Sequence, residues 1–195
     1  IMERIGVKTR HILKPEQGSG TSYMMSRAVS QLLRKTQVAP ESVELVICAT
    51  TTPDYHFPST ASLVIGQCGL PAAFGFDMEA ACAGFLYAME TGASFIRSGR
   101  YKRIIVCGGD HMSSMTNYTD RNSCPIFGDG AACVMMEATT EEIGLIDGFY
   151  RTNGVGLDNL HMKAGGSAKM PTHESVDNNE HTVYQEGRAV YKHAV

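Results

Sequence analysis

The first candidate for chemistry in this 195-residue chain is a cysteine set among small residues, in Glu79-Ala80-Ala81-Cys82-Ala83-Gly84-Phe85. Residues 73–78 (AFGFDM) alternate apolar and small side chains and end at an acidic position, which predicts a short buried strand. After the cysteine, Phe85, Met89, Gly92 and Ile96 recur at helical spacing. Ala88, Gly92, Ala93 and Ser94 predict a helix thin enough to be packed on several sides. A thiol at such a strand-to-helix junction meets unpaired N–H groups and the positive end of the helix dipole, so it is expected to ionise more easily than a free one. The flanking Ala and Gly let a carbonyl approach the sulfur. The chemistry these residues suggest is nucleophilic attack. The competing reading is a small core residue, since cysteine is among the most buried residue types.

The elements that must position Cys82 follow from apolar periodicity. Glu16 to Thr21 is a polar loop, and Thr21 or Ser22 caps a helix whose paired apolar residues (Met24/Met25, Ala28/Val29, Leu32/Leu33) run to about Thr36. Ala39-Pro40-Glu41-Ser42 breaks it. Residues 43–49 (VELVICA) form a nearly continuous β-rich run, as in a strand covered on both faces. Pro58-Ser59 opens a further helix that ends near Gly69-Leu70-Pro71. Beyond the Cys82 helix, which closes at Ser98-Gly99, residues 103–107 (RIIVC) read as a buried strand, and 131–136 and 143–149 as later ones. Alternation at this spacing implies parallel βαβ units in a layered α/β fold.

Composition narrows the classes. With 43% hydrophobic residues and a net charge of −3, a globular core is expected. No basic run marks nucleic-acid or membrane-surface binding, and no apolar stretch approaches a membrane span. The six cysteines (48, 68, 82, 107, 124, 133) contain no CxxC pair. That spacing argues against a zinc site or a disulfide framework and for a reducing, cytosolic setting. Gly128-Asp129-Gly130 lacks the surrounding pattern of a phosphate-binding loop and reads as a tight turn feeding the next strand.

AACAGF at 80–85, TTPDYHFPSTA at 51–61, Asp120-Arg121 and IFGDGAA at 126–132 occur in an order that closely resembles β-ketoacyl-acyl-carrier-protein synthase III, a condensing enzyme of the thiolase superfamily. The resemblance is nearly continuous from residues 3–12 to residues 187–195. It implies the first, N-terminal half of a thiolase-like layered α/β fold over 1–195, with a mostly parallel mixed sheet flanked by helices. It implies an acyltransferase that initiates fatty-acid synthesis without a metal or redox cofactor. An acyl group passes from acyl-CoA to Cys82 as a thioester. Malonyl-acyl carrier protein then loses CO2, and the carbanion attacks the thioester. Helix N–H groups, including that of Cys82, would hold the oxyanion.

By the same resemblance Arg4 and Arg121 contact the nucleotide end of CoA, while Phe57 and Met112 line the acyl pocket. Phe57 is supplied by the mate of a homodimer. Ile5 stands where many members carry threonine. The histidine and asparagine of decarboxylation belong to the family's second half, and none of the seven histidines here falls in that histidine's motif. Three rival readings are a secondary-metabolism relative with other acyl substrates, a non-catalytic ketosynthase partner, against which the intact nucleophile motif speaks, and a generic CoA-binding module that would show no thiol-dependent acylation. Residues 152–180 are polar, Gly-rich and weakly periodic, and the helical pattern from Val183 reaches Val195 without a cap. We therefore expect a piece of a longer polypeptide, unable to condense alone.

Overall fold

The apolar runs around Cys82 meet partners in the computed structural model, which describes residues 6–194. Residues 13–111 and 130–150 form one compact unit; the other comprises, among the described residues, segments 6–12, 112–129 and 151–194. Arg4 and Ile5 lie outside the described residues.

The first unit is built on a sheet. Strand β1 (Leu45–Ala49) lies between β2 (Phe74–Met78) and β3 (Arg103–His111), and pairs with both in parallel. Strand β4 (Asp129–Glu137) flanks β3, giving a four-stranded sheet of order β2-β1-β3-β4. The continuous apolar runs of β1 and β3 are used on both faces. Val46, Cys48, Ile105 and Cys107 pack with Met25 and Val29 of helix α1 (Gly20–Thr36) and Val64 of helix α2 (Thr60–Cys68). Leu45, Ile47, Ala49, Ile104 and Val106 face the other way, against Ala88 of helix α3 (Gly84–Arg97). Side chains alternate across a strand, so a run with no polar interruption needs helices on both sides.

The helix boundaries follow the expected caps. Helix α1 starts at Gly20, beside the expected Thr21 or Ser22, and ends at Thr36 with Gln37 left-handed at φ 57°. Ser59 accepts from the Ser62 N–H at the start of α2, and Gly69 closes it at φ 62°. Gly92 lies where a Cβ would be 3.1 Å from Met136 Sδ and 3.5 Å from Val106 Cγ2, which explains the thin face of α3. The helix is covered on that face alone, however: Gly84, Ala88, Gly92 and Ala93 are buried, whereas Leu86 is 55% exposed and Ser94 is exposed.

Four further expectations fail, the first being that β2 is buried: Phe74 is exposed and the rest of that strand is half-buried. Residues 143–149 form no strand; Gly144, Asp147 and Gly148 interrupt the apolar run, Ile146 is 92% exposed, and Arg97 holds the segment by donating to the Leu145 carbonyl at 3.1 Å. Asp129 and Gly130 are not a turn but the first residues of β4. In the second unit, residues 183–185 are strand β6 (Val183–Gln185), antiparallel to β5 (Leu160–Met162), and only Gly187–Ala194 is helical. A β-branched and aromatic Val-Tyr pair suits a ladder, and His161 opposite Tyr184 meets its ring edge to face with centroids 5.8 Å apart.

Candidate active site

Cys82 occupies a single 3-10 turn (Ala81–Ala83) between the end of β2 and the start of α3. The expected junction is there, but the α-helix proper begins two residues beyond the thiol. Ala81 sits in the left-handed region at φ 44°, and Ala80 at φ −150°, ψ 30°, so the chain turns sharply immediately before the cysteine. A non-glycine residue held there costs about 1–3 kcal/mol and persists only where its surroundings enforce it. The N–H groups of Ala83 and Gly84 donate to the carbonyls of Ala80 and Ala81, which removes them as oxyanion donors. Cys82 itself is exposed. The small-core-residue reading therefore fails for this thiol.

Four other thiols satisfy that reading. Cys48 and Cys107 are fully buried register partners on β1 and β3, with Cys68 and Cys133 packed against the same cluster. The hydrogen bond with Cys133 pulls the Cys107 thiol down, but hydrogen bonding to Cys48 and burial together outweigh it and push the thiol well above its ordinary value. Hydrogen bonding to Cys107 and burial push the Cys133 thiol upward as well. Thiols of this kind are poor nucleophiles at neutral pH.

The turn that carries Cys82 rests on one rung of the sheet. Ala49 pairs with Met78 on one side and with Gly108 on the other. A Cβ at Gly84 would lie 3.3 Å from Ala49 Cβ, and one at Gly108 would lie 2.9 Å from Phe85 Cδ2. The Gly and Ala residues of these positions are what allow the start of α3 to sit down on β1 and β3.

Carboxylates that sequence reasoning left unassigned fix the neighbouring loops. Asp77 on β2 accepts from the Thr60 and Ala61 N–H groups at 2.6 and 2.8 Å, closing the N-terminus of α2. Asp54 accepts from the Ser22 N–H at 2.9 Å, doing the same for α1, whose first turn holds no acidic residue. Asp110, at the end of β3, gathers Thr50, Thr51 and Thr52. An acidic residue that ends an apolar strand was the available signal for Asp77 and Asp110; nothing local marks Asp54 as the cap of a helix more than thirty residues earlier.

Phe57 lies on the loop from β1 to α2 and is 86% exposed, close to Tyr55 at 61%. Met112 opens a 3-10 turn (Met112–Met115) in the second unit. Asp129 steadies that turn, accepting from the Ser113 N–H at 2.8 Å and from the Ser113 hydroxyl at 2.6 Å. The Gly128-Asp129-Gly130 segment thus has a structural task. Arg121 is exposed in a turn organised by Asp120, which accepts from the Asn122 N–H at 2.9 Å and the Ser123 hydroxyl at 2.7 Å. Those two hydrogen bonds hold the Asp120 carboxyl below its ordinary value. Cys82 and Phe57 belong to the first unit, Met112 and Arg121 to the second.

Residues 76–154 match the family described as 3-oxoacyl-[acyl-carrier-protein] synthase III. All 195 residues align, at 62% identity, with β-ketoacyl-[acyl-carrier-protein] synthase III 2 of Bacteroides thetaiotaomicron, covering 58% of that protein. The corresponding synthase III of Phocaeicola vulgatus is 60% identical over the same span and share. This chain resembles β-ketoacyl-acyl-carrier-protein synthase III along its whole length. It also superposes on the crystal structure of 3-oxoacyl-[acyl-carrier-protein] synthase III from Aquifex aeolicus with a TM-score of 0.84 at 32% identity, covering 98% of this chain and 56% of that one. The fold is accordingly thiolase-like, a mostly parallel mixed sheet flanked by helices. The chain spans less than two thirds of the length of the curated relatives it matches. Among the described residues, no helix is long and apolar enough to cross a membrane.

Proposed function

We propose that this chain is the Cys82-bearing part of a β-ketoacyl-acyl-carrier-protein synthase III. The Cys82 thiolate attacks the thioester carbonyl of an acyl-CoA, the C–S bond to CoA breaks, and the acyl group remains on Cys82. Malonyl-acyl carrier protein then loses CO2. The resulting carbanion attacks the acyl-cysteine carbonyl, forming the C–C bond and releasing the Cys82 sulfur. The observation that carries this reading is the contrast among thiols. Cys82 is exposed on a sharply turned junction at the carboxyl edge of parallel strands, the edge at which such sheets bind ligands. Of the turn's N–H groups, that of Cys82 is the one assigned to the oxyanion.

Arg4 and Arg121 bind the nucleotide end of CoA in this scheme, where a guanidinium can stack on adenine and pair with phosphate. Met112 lines the acyl chamber, and Phe57 lines that of the mate in a cytoplasmic homodimer. The large exposure of Phe57 within its own chain supports that assignment. Decarboxylation is left to a histidine and an asparagine of the longer protein, so the 195-residue chain forms no 3-ketoacyl product alone.

Peptide mass spectrometry after incubating the full-length protein with acetyl-CoA tests the proposal. An acetyl group on Cys82, lost in Cys82→Ala, is expected. No adduct from short straight or branched acyl-CoAs would overturn it.

A further inference from the structure

Among the polar groups of the first unit, Asp110 makes the densest set of contacts near the Cys82 turn. Its Oδ1 accepts from the Thr51 N–H at 2.8 Å and from the Thr50, Thr51 and Thr52 hydroxyls at 3.0, 3.1 and 3.1 Å. The surrounding bonds close the knot. Thr52 Oγ1 accepts from the His111 N–H at 2.8 Å, Thr50 Oγ1 from the Thr52 N–H at 3.1 Å, and the Thr52 carbonyl from the Thr21 hydroxyl at 2.6 Å. The Thr50 N–H in turn donates to the Met78 carbonyl at 3.2 Å. One carboxylate oxygen thereby ties the carboxyl ends of β1, β2 and β3 to the start of α1.

Its place relative to the nucleophile gives the knot a role beyond satisfying buried hydroxyls. Ala49 and Gly108, the rung on which Gly84 and Phe85 sit, are directly followed by Thr50 and, one residue further on, by Asp110. Met78, held by Thr50, is four residues before Cys82. Any splaying of β1 from β3 at this end would move the floor beneath the 3-10 turn. It would also release the loop that leads from Thr52 to Phe57.

We propose that Asp110 is a positioning residue for Cys82: by clamping Thr50, Thr51 and Thr52 it keeps the carboxyl ends of β1 and β3 together and so fixes the turn that aims the thiol. This rests on the acyl-transfer reading above. The geometric part does not, and it is read separately by hydrogen exchange. Charge-assisted bonds to a carboxylate are among the stronger ones, and loss of the acceptor leaves several donors to find new partners.

The test uses the full-length protein with Asp110→Ala, Asp110→Asn and Thr51→Val. In Asp110→Ala the Thr51 and Thr52 amides are expected to exchange at least tenfold faster. The first-order rate of Cys82 acetylation at saturating acetyl-CoA should fall about tenfold while the half-saturating concentration changes less than twofold, since a tilted thiol loses attack geometry rather than substrate binding. Iodoacetamide, which attacks a thiol from any direction, should alkylate Cys82 within twofold of the parent rate. Asp110→Asn keeps an acceptor oxygen and should recover most of the acetylation rate. Thr51→Val, which removes one donor and leaves the carboxylate, keeps the test open if Asp110→Ala does not fold; a two- to threefold slower acetylation is expected. Thr51 and Thr52 exchange at the parent rate in Asp110→Ala would overturn the clamp, whether or not the parent is acetylated. Faster exchange with an unchanged acetylation rate would overturn the link to Cys82, whereas a parent that is never acetylated would overturn the acyl-transfer reading and this role together.

Discussion

Gly108→Ala puts the seating of the nucleophile turn under direct load. Gly108 is not among the glycines at positive φ, so its backbone accepts alanine and the cost is steric. The new methyl would lie 2.9 Å from Phe85 Cδ2 and 3.4 Å from both Phe85 Cβ and Cγ. Carbon atoms prefer separations of about 3.5–4.0 Å, so the side chain is crowded along its length and a swing of the ring alone does not relieve it. The start of α3 must rise by several tenths of an ångström. Overpacking by a methyl costs about 1–3 kcal/mol, and removing a strand glycine returns about 0.5–1 kcal/mol. The net loss lies between about 0 and 2.5 kcal/mol and centres near 1 kcal/mol, which corresponds to a melting temperature lowered by about 2–4 °C in a domain of this size.

Acetylation of Cys82 should suffer more than stability. A displacement of about 1 Å at a reacting group can cost about a hundredfold, so a shift of several tenths should cost about tenfold. Phe85→Ala removes the crowded Cγ and Cδ2 atoms and serves as the second arm of a double-mutant cycle. The Gly108→Ala/Phe85→Ala pair should be less destabilised than the sum of the single changes by about 1 kcal/mol, and part of the acetylation rate should return. Thermal melts by circular dichroism and acetylation followed by mass spectrometry give both quantities. Strict additivity together with an unchanged rate for Gly108→Ala would refute the claim that α3 rests on Gly108 through Phe85.

The remaining expectations concern the turn, the caps and the buried thiols. Ala81→Val places a β-branched side chain at φ 44° and should destabilise by about 2 kcal/mol or more, whereas Ala81→Gly should stay within about 1 kcal/mol of the parent, both read from denaturant midpoints. Asp77→Ala removes the acceptor of the Thr60 and Ala61 N–H groups and should cost about 0.5–2 kcal/mol in the same assay. Cys107 and Cys133 stay protonated in the native state at pH values where the unfolded chain releases their protons. Their contribution is complete below the ordinary thiol value and is lost as the pH rises above it, so the Cys133→Ser protein should lose less stability than the parent between neutral pH and pH about 10. In native protein at neutral pH, iodoacetamide should label Cys82 and leave Cys48 and Cys107 unlabelled until unfolding, as peptide mapping will report.

What the sequence disclosed and what it withheld divide along a physical line. Strands β1 and β3 were legible because burial on both faces demands unbroken apolar runs, and α2 was legible because Ser59 and Gly69 end it by local chemistry. The junction at Cys82 was legible because small residues cluster where backbone must approach backbone. Residues 143–149 misled because apolar residues alone do not make a strand; a ladder partner is required, and none of the sheet's described strands offers one. Residues 183–185 misled for the converse reason, since their partner lies at 160–162, beyond any local pattern.

The carboxylates of the site were withheld for a related reason. Asp54, Asp77 and Asp110 bind donors 32, 17 and up to 60 residues away, and those separations leave no periodicity to read. Yet all three do one thing, which is to satisfy N–H or hydroxyl donors where loops leave or enter the carboxyl edge of the sheet. In the proposed scheme that edge stays open for a substrate, so apolar packing does not cover it, and short-range hydrogen bonds to carboxylates fix its shape instead. The consequence is a division of labour between the two ends of β1 and β3: their apolar middles give the fold its stability, and the Thr50–Asp110 end gives the Cys82 turn its position. A change in the middle, such as Ile105→Ala, should therefore lower stability and acetylation together, while a change at the Asp110 end should lower acetylation out of proportion to stability.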